Sequence, residues 1–267
     1  MSGCQLVFEG VAQDAAVTSD ATSDATSDAT IDAIPVDMRV TLPFRNPIAL
    51  GLSGANPTLS SDGAELWLTQ GPPSKLASAL RVEGKYPTAI VAAFNSAQGD
   101  MEAALTADNQ LLAYSSDRSG SAVYQRQRGT LPGEWLAETL AVTTSFSGFD
   151  ISRDGLTLYL IDFGKLRIMK RASRDAVFET TAVPPQSLDN NADYPTMSFD
   201  EREIIFNVSN GLGGSRLIQA SRKADESKFD AATVLDLGCG NAGDADFSPD
   251  AMTLVYTCNG QIFVARR

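Results

Sequence analysis

One pattern recurs five times along the chain and constrains the fold more than any other feature. Each copy has an apolar residue three positions before an Asp, a Ser or Thr two positions before it, and an apolar, β-rich run after it. The five aspartates are spaced by 46, 46, 46 and 50 residues: Asp62, Asp108, Asp154, Asp200 and Asp250. An Asp followed by Gly or Asn suits a tight hairpin turn with positive φ. Each copy therefore predicts two antiparallel strands joined at its Asp.

Two further strands complete each copy. A third apolar stretch follows in four copies, each time shortly after a Gly, at 123–124, 166–168, 217–218 and 262–264. A fourth strand is predicted to begin near an aromatic residue, at Trp135, Phe178 and Phe229. The first copy is less regular, and its outer strands are predicted at 76–82 and 88–94. Four antiparallel strands in about 46 residues are typical of a propeller blade.

The position of the last copy fixes the number of blades. The sequence ends at Arg267, directly after the third strand of the fifth copy. The missing fourth strand is predicted at 44–50, because Phe44 precedes Asp62 by 18 residues, close to the 19 that separate Trp135 from Asp154. We therefore predict an all-β, five-bladed β-propeller over residues 38–267, closed by an N-terminal strand that joins the last blade.

Residues 1–37 have a different composition. The sequence TSDA occurs three times within residues 18–29, and residues 1–38 contain seven Asp and Glu but no Lys or Arg. Such a segment cannot bury a core, so we predict a disordered Thr-, Ser-, Asp- and Ala-rich tail or linker over 1–37. With 33 acidic residues in all, 26 remain against 21 Lys and Arg. The propeller is then only mildly acidic and has no basic field for phosphates, which predicts no nucleic-acid partner.

Residue types exclude several kinds of chemistry. The chain has no His, so it has neither the usual general base near neutral pH nor any Ser-His or Cys-His nucleophile pair. Three Cys cannot supply a four-thiolate zinc site. We expect no metal and no cofactor. The sequence has no run of about 18 apolar residues that would predict a membrane-spanning helix.

Polar residues open the innermost strand of several copies, at the end of a propeller that usually binds ligands. They are Asn56, Glu102, Asp150, Tyr194, Asp244 and Asp246, with Asp100 and Asp193 nearby. Around the channel mouth they could bind a cation, a sugar or a basic peptide. The alternative is that these carboxylates only cap loops. Basic residues after the third strands are predicted to pair with the turn aspartates: Arg126, Arg128, Lys170, Arg171, Arg222, Lys223, Arg266 and Arg267.

The three cysteines bear on where the protein acts. Cys239 enters the last blade and Cys258 ends its second strand, so both lie at the same face and predict a disulfide if the compartment is oxidising. Two free thiols in a cytosolic protein are the alternative. Met1-Ser2-Gly3-Cys4 resembles the end of a bacterial lipoprotein signal, which implies lipidation of Cys4, export and a place in the cell envelope. This assumes a signal peptide ahead of the given start; otherwise Cys4 is incidental.

The copy FSPDAMTLVY around Asp250 resembles the repeats of TolB-like, WD-related bacterial propellers, whose turns read S-P-D-G. Asp-Gly recurs at Asp62-Gly63 and Asp154-Gly155. The resemblance covers residues 38–267 and implies the fold. We predict a monomeric, non-enzymatic module that docks a protein or peptide on its loop face and touches a membrane only through a lipid on Cys4. The alternatives are a small-ligand or glycan binder and, less favoured, a glycoside hydrolase with axial carboxylates.

Overall fold

The computed structural model describes residues 43–118, 120–183, 185–209, 211, 214–223, 226 and 228–267. The predicted tail over 1–37, Cys4, and the predicted first residues of the propeller lie outside the described residues. Within the described part of the chain, regular structure is β-strand arranged in five antiparallel sheets. No helix there is long and apolar enough to cross a bilayer.

Each sheet is one blade, and its strands follow the chain from the inside outward. Blade 1 contains β2 (Ala55–Leu59), β3 (Glu65–Gln70), β4 (Lys75–Leu80) and β5 (Ile90–Val91). Blade 2 contains β6 (Asp100–Leu105), β7 (Leu111–Ser116), β8 (Ala122–Gln127) and β9 (Thr139–Thr143). Blade 3 contains β10 (Gly148–Ile151), β11 (Thr157–Asp162), β12 (Lys165–Lys170) and β13 (Glu179–Thr180).

The last two blades complete the ring. Blade 4 contains β15 (Ala192–Met197), β16 (Glu203–Ser209), β17 (Ser215–Ser221) and β18 (Thr233–Val234). Blade 5 contains β19 (Ala242–Phe247), β20 (Thr253–Cys258), β21 (Gln261–Arg266) and, from the other end of the chain, β1 (Arg45–Ser53). The innermost strands contact one another in the order β2, β6, β10, β15, β19 and back to β2. The predicted five-bladed propeller is confirmed.

The closing strand lies where the repeat count predicts it. β1 pairs antiparallel with β21, with Arg45 opposite Arg266 and Ile48 opposite Val264. The fourth strands of blades 1, 3 and 4 are only two residues long, shorter than predicted in blade 1. Blade 3 also has a short strand that the sequence pattern did not predict, β14 (Gln186–Ser187), paired with β12.

The core lies between adjacent blades, because every middle strand is buried on both faces. In β3, Leu66 and Leu68 pack towards blade 5, whereas Trp67 between them packs towards blade 2. All three are at most 1% exposed. Alternation with period two therefore places apolar side chains on both sides of each blade, and each pair of neighbouring blades shares a hydrophobic cluster.

The recurrent Ser/Thr-x-Asp holds the turn between the first two strands. In each blade the Ser or Thr hydroxyl donates to the turn Asp at 2.6–2.8 Å. The same carboxylate accepts the backbone N–H two residues later, as from Met252 to Asp250 at 2.9 Å. These contacts are local, and neighbouring blades add to them, as the Ser61 N–H does by donating to Asn109 Oδ1 of blade 2 at 2.9 Å.

The predicted pairing of the basic residues with the turn aspartates is wrong at Asp62, Asp108, Asp154 and Asp250, where none of the predicted residues forms an ion pair. The arginine that ends a third strand instead donates to the backbone carbonyl just after the turn Asp, as Arg171 Nε does to Gly155 at 2.7 Å. Oδ1 of each turn Asp is already bonded within the turn, and Oδ2 of Asp108 pairs with a different residue, Arg174, at 2.7 Å. Each guanidinium also lies over the aromatic ring that precedes the fourth strand: Arg128 over Trp135 (4.3 Å), Arg171 over Phe178 (4.2 Å), Arg222 over Phe229 (4.8 Å) and Arg267 over Phe44 (4.8 Å). These cations therefore serve blade packing.

Candidate functional site

All six residues predicted for the channel mouth line one cavity on the propeller axis. They come from two positions of the repeat. Six residues before the turn Asp stand Asn56, Glu102, Gly148, Tyr194 and Asp244, which we call the upper ring. Four residues before it stand Thr58, Ala104, Asp150, Thr196 and Asp246, which we call the lower ring.

The upper ring is built by irregular backbone. Four of its members have positive φ, namely Asn56 (48°), Glu102 (51°), Tyr194 (46°) and Asp244 (41°). Each lies at a register shift in the pairing of its innermost strand. Such a bulge inserts a residue and redirects its side chain, and a non-glycine residue rarely adopts this conformation. Asn56 and Asp244 are residue types that tolerate positive φ, whereas Glu102 and Tyr194 give no such signal.

Blade 3 differs from the other four. Its innermost strand pairs without a register shift, and Gly148 occupies the upper ring. A Cβ at Gly148 would lie 2.3 Å from the backbone N of Tyr194 and 3.1 Å from Oε1 of Glu102. Glycine is therefore required there by the close approach of β15.

The lower ring connects blades to one another. Asp246 accepts the Leu59 N–H of blade 1 at 2.9 Å and the Thr196 hydroxyl of blade 4 at 3.1 Å. Asp150 accepts the Met197 N–H of blade 4 at 2.7 Å. Burial, and then the charge of Asp246, raise the pKa of Asp150 to about 7. These two carboxylates therefore join neighbouring blades, which is closer to the alternative that the channel carboxylates have only a structural role.

The upper ring holds two further buried acids, Glu102 and Asp244. Burial raises the pKa of Glu102 to about 8, with a smaller contribution from the charge of Asp244. Oε1 of Glu102 is buried without a hydrogen-bond partner among the described residues. Asp244 is also buried, which raises its pKa, but it accepts the side-chain amide of Asn207 at 2.8 Å and the N–H of Asn56 at 3.3 Å.

The two acids expected nearby have different surroundings. Asp193 lies beside the upper ring, with Oδ1 buried and unpartnered; burial and the charge of Asp244 raise its pKa to about 7. Asp100 does not line the cavity. It is fully buried and bonded to Arg118 at 3.0 Å, so its expected place at the channel mouth is wrong.

The axial cavity is small, about 30 Å³. Since one water needs roughly 10–15 Å³ measured in this way, the cavity holds one or two molecules of that size. Larger grooves lie elsewhere on the surface. One, of about 360 Å³, is lined by Phe146, Phe163 and Asp193 beside the channel mouth.

Phe163 is a feature that the sequence analysis missed. It lies in the hairpin between β11 and β12, at the face of the propeller where the innermost strands begin, which we call the entry face. Its side chain is 84% exposed and its φ is +48°. The signal was available, because the equivalent hairpin of blade 5 reads Asn259-Gly260 where this one reads Phe163-Gly164.

In the structure Cys239 is bonded to Cys258. The two lie 19 residues apart at the entry side of blade 5, and Cys258 is the last residue of β20. Within the described residues, no group of three or more Cys, Asp or Glu is arranged to hold a metal ion.

Comparison with known proteins finds similar solved structures but no similar sequence family. No protein-family model matches the chain, and no curated protein matches it significantly. TolB from Acinetobacter baumannii is 11% identical over 83% of this chain and 54% of its own, with a TM-score of 0.47. This chain thus spans about half the length of that TolB. A putative TolB from Agrobacterium tumefaciens is 22% identical over 77% and 69%, with a TM-score of 0.49.

In a third solved structure, the part that matches this chain is nearly the whole protein. It is the calcium-binding protein regucalcin from Agrobacterium tumefaciens, 13% identical over 84% of this chain and 94% of its own, with a TM-score of 0.50. At these identities a likeness concerns the fold and not the ligand. Two of these solved structures are TolB proteins. That this chain is a five-bladed β-propeller follows from its own five sheets and their order around the axis.

Proposed function

We propose that the chain is a non-enzymatic binding module, held at the cell envelope by a lipid on Cys4, that docks a protein or peptide on its entry face. The observation that carries this is the axial cavity of about 30 Å³. Ligand sites for small molecules usually measure about 300–1,000 Å³. Neither a sugar ring nor a glycosidic bond flanked by two carboxylates fits in the axial cavity, which counts against glycan binding or hydrolysis on the axis.

The hairpin of Phe163 supports the choice of face. A turn with two positive φ values favours Asn followed by Gly, and Phe163 replaces the favoured Asn while leaving 84% of its surface exposed. Phe163 therefore combines two unfavourable features: a backbone with positive φ and an apolar ring exposed to water. Such residues are typical of functional sites, and exposed aromatic side chains are often the anchors of interfaces.

The cysteines support the compartment. A bonded Cys239 and Cys258 requires oxidising surroundings such as the bacterial periplasm. The motif ending at Cys4 resembles the end of a lipoprotein signal, and the repeated acidic segment behind it would let the propeller extend from a membrane.

Affinity capture from bacterial envelope extracts tests the proposal. The full chain, Phe163→Asn and the matched control Met252→Gln serve as baits. Met252 is 43% exposed in a turn of the opposite face. We expect the wild type and Met252→Gln to recover the same protein, and Phe163→Asn to recover at least about tenfold less, as for an aromatic hot spot. Equal recovery by all three baits would contradict docking on the entry face.

A further inference from the structure

Glu102 is a buried acid without a full set of partners. It is 7% exposed, it lines the axial cavity, and its Oε1 has no hydrogen-bond partner among the described residues. A buried carboxylate oxygen without a partner is unfavourable, because it has lost its water and gained no donor. Oδ1 of Asp193, in the adjoining groove, is in the same condition.

The charges around these oxygens are all of one sign. The charged groups that act on Glu102 are Asp244 and Asp193, and the one that acts on Asp193 is Asp244. Within the described part of the chain, none of the three forms an ion pair with Lys or Arg. The nearby arginines are engaged elsewhere: Arg118 with Asp100 and Glu138, and Arg153 with Asp246. The carboxyl groups of Glu102, Asp193 and Asp244 are therefore gathered at the channel mouth without a paired cation among the described residues.

The size of the cavity selects among cations. About 30 Å³ accommodates a group the size of one or two waters. An ammonium group is that compact and has three donors, whereas a guanidinium is a broad planar fork. A long aliphatic stem can pass through the mouth while the polar head reaches the acids.

We propose that the mouth of the central channel binds a primary ammonium group, from a Lys side chain or a peptide N-terminus of the docked partner, through Glu102, Asp193 and Asp244. This inference rests on the proposed docking function and names the group recognised. The ammonium donates to the unpartnered Oε1 of Glu102 and Oδ1 of Asp193. Phe163, which lines the groove with Asp193, contacts the adjoining part of the peptide.

Binding is coupled to a proton. Several groups face Glu102: Asp244 on β19, Asp193 and Tyr194 on β15, Ser115 on β7, and the Phe149 backbone on β10. Burial among these groups keeps the free carboxyl protonated at neutral pH. An entering ammonium stabilises the carboxylate, so the acid proton leaves to solvent while the ammonium keeps all three of its own. Affinity is then expected to rise with pH from 6 to 8.

NMR titration of the isotope-labelled full chain with n-butylammonium tests the site, with n-butanol and n-butylguanidinium as comparisons. We expect saturable shifts of the amides of Glu102, Tyr194 and Asp244 with butylammonium alone. Glu102→Gln is expected to weaken this binding at least about tenfold, whereas Glu179→Gln, an exposed change of the same kind, leaves it unchanged. If Glu102→Gln does not fold, Asp193→Asn carries the same expectation. Equal shifts with n-butanol, or no saturation, would overturn the inference.

Two short peptides identify the source of the ammonium. One is N-acetylated with a central Lys; the other has a free N-terminus and norleucine in place of Lys. Binding of either supports the site and names the source, and binding of neither overturns it. Capture that depends on Phe163 without ammonium binding would refute this inference alone. Ammonium binding without such capture would refute the docking function alone.

Discussion

At the scale of single residues, Glu102 departs far from ordinary side-chain chemistry. Its usual pKa of 4.5 is raised by burial to about 8. Between these values the unfolded chain has lost the proton and the folded chain has kept it. The folded state thus binds more protons, and the free energy of unfolding falls as pH rises across this range, by up to about 1.4 kcal/mol per pH unit.

Replacing Glu102 by Gln removes this ionisation. We expect the stability of Glu102→Gln relative to the wild type to increase steadily from pH 5 to pH 8, because only the wild type is penalised. Urea unfolding at a series of pH values measures the difference. Glu179→Gln, at an exposed position of β13, is the control and should show no such trend. A difference between Glu102→Gln and wild type that stays constant with pH would show that Glu102 ionises normally in the folded state.

At the scale of elements, the sequence predicts what depends on local pattern and misses what depends on packing. The hairpins at Asp62 and Asp250 were predictable because their Ser, Asp and apolar run act within a few residues. The bulges at Glu102 and Tyr194 were not, because neither residue favours positive φ. The six channel residues were predicted from their position in the repeat, whereas Phe163 lay in a hairpin treated only as a connection.

The approach of β10 to β15 gives a prediction at this scale. Gly148→Ala places a Cβ 2.3 Å from the backbone of Tyr194, which cannot move without displacing a whole innermost strand. We expect a loss of about 1–3 kcal/mol or more, as for overpacked cores. The control is Gly240→Ala, whose Cβ would meet nothing within 4 Å. Thermal and urea unfolding compare the two variants, and equal stability would contradict the described packing.

At the scale of the whole molecule, the ring closes by joining both ends of the chain in blade 5. β1 supplies the outer strand, and Phe44 packs against Phe247 with ring centroids 6.2 Å apart. On the inner side, the Asp246 carboxylate accepts the Leu59 N–H and joins blade 5 to blade 1. The composition of one blade from two distant segments was predictable from the repeat count alone, because a blade left with three strands would expose a sheet edge.

The bond between Cys239 and Cys258 reinforces the blade that closes the ring. It links the loop entering β19 to the end of β20, across 19 residues. Closing a loop of this length in the unfolded chain is worth about 3 kcal/mol. We therefore expect the double variant Cys239→Ser, Cys258→Ser to lose about 3 kcal/mol in its free energy of unfolding and to unfold at a lower temperature. The reduced wild type should behave in the same way.

Mass spectrometry under non-reducing conditions, on protein isolated from the envelope, should find the peptides of Cys239 and Cys258 joined. Two free thiols there would remove both the bond and the support it gives to export, leaving the propeller to close through β1 and its core alone.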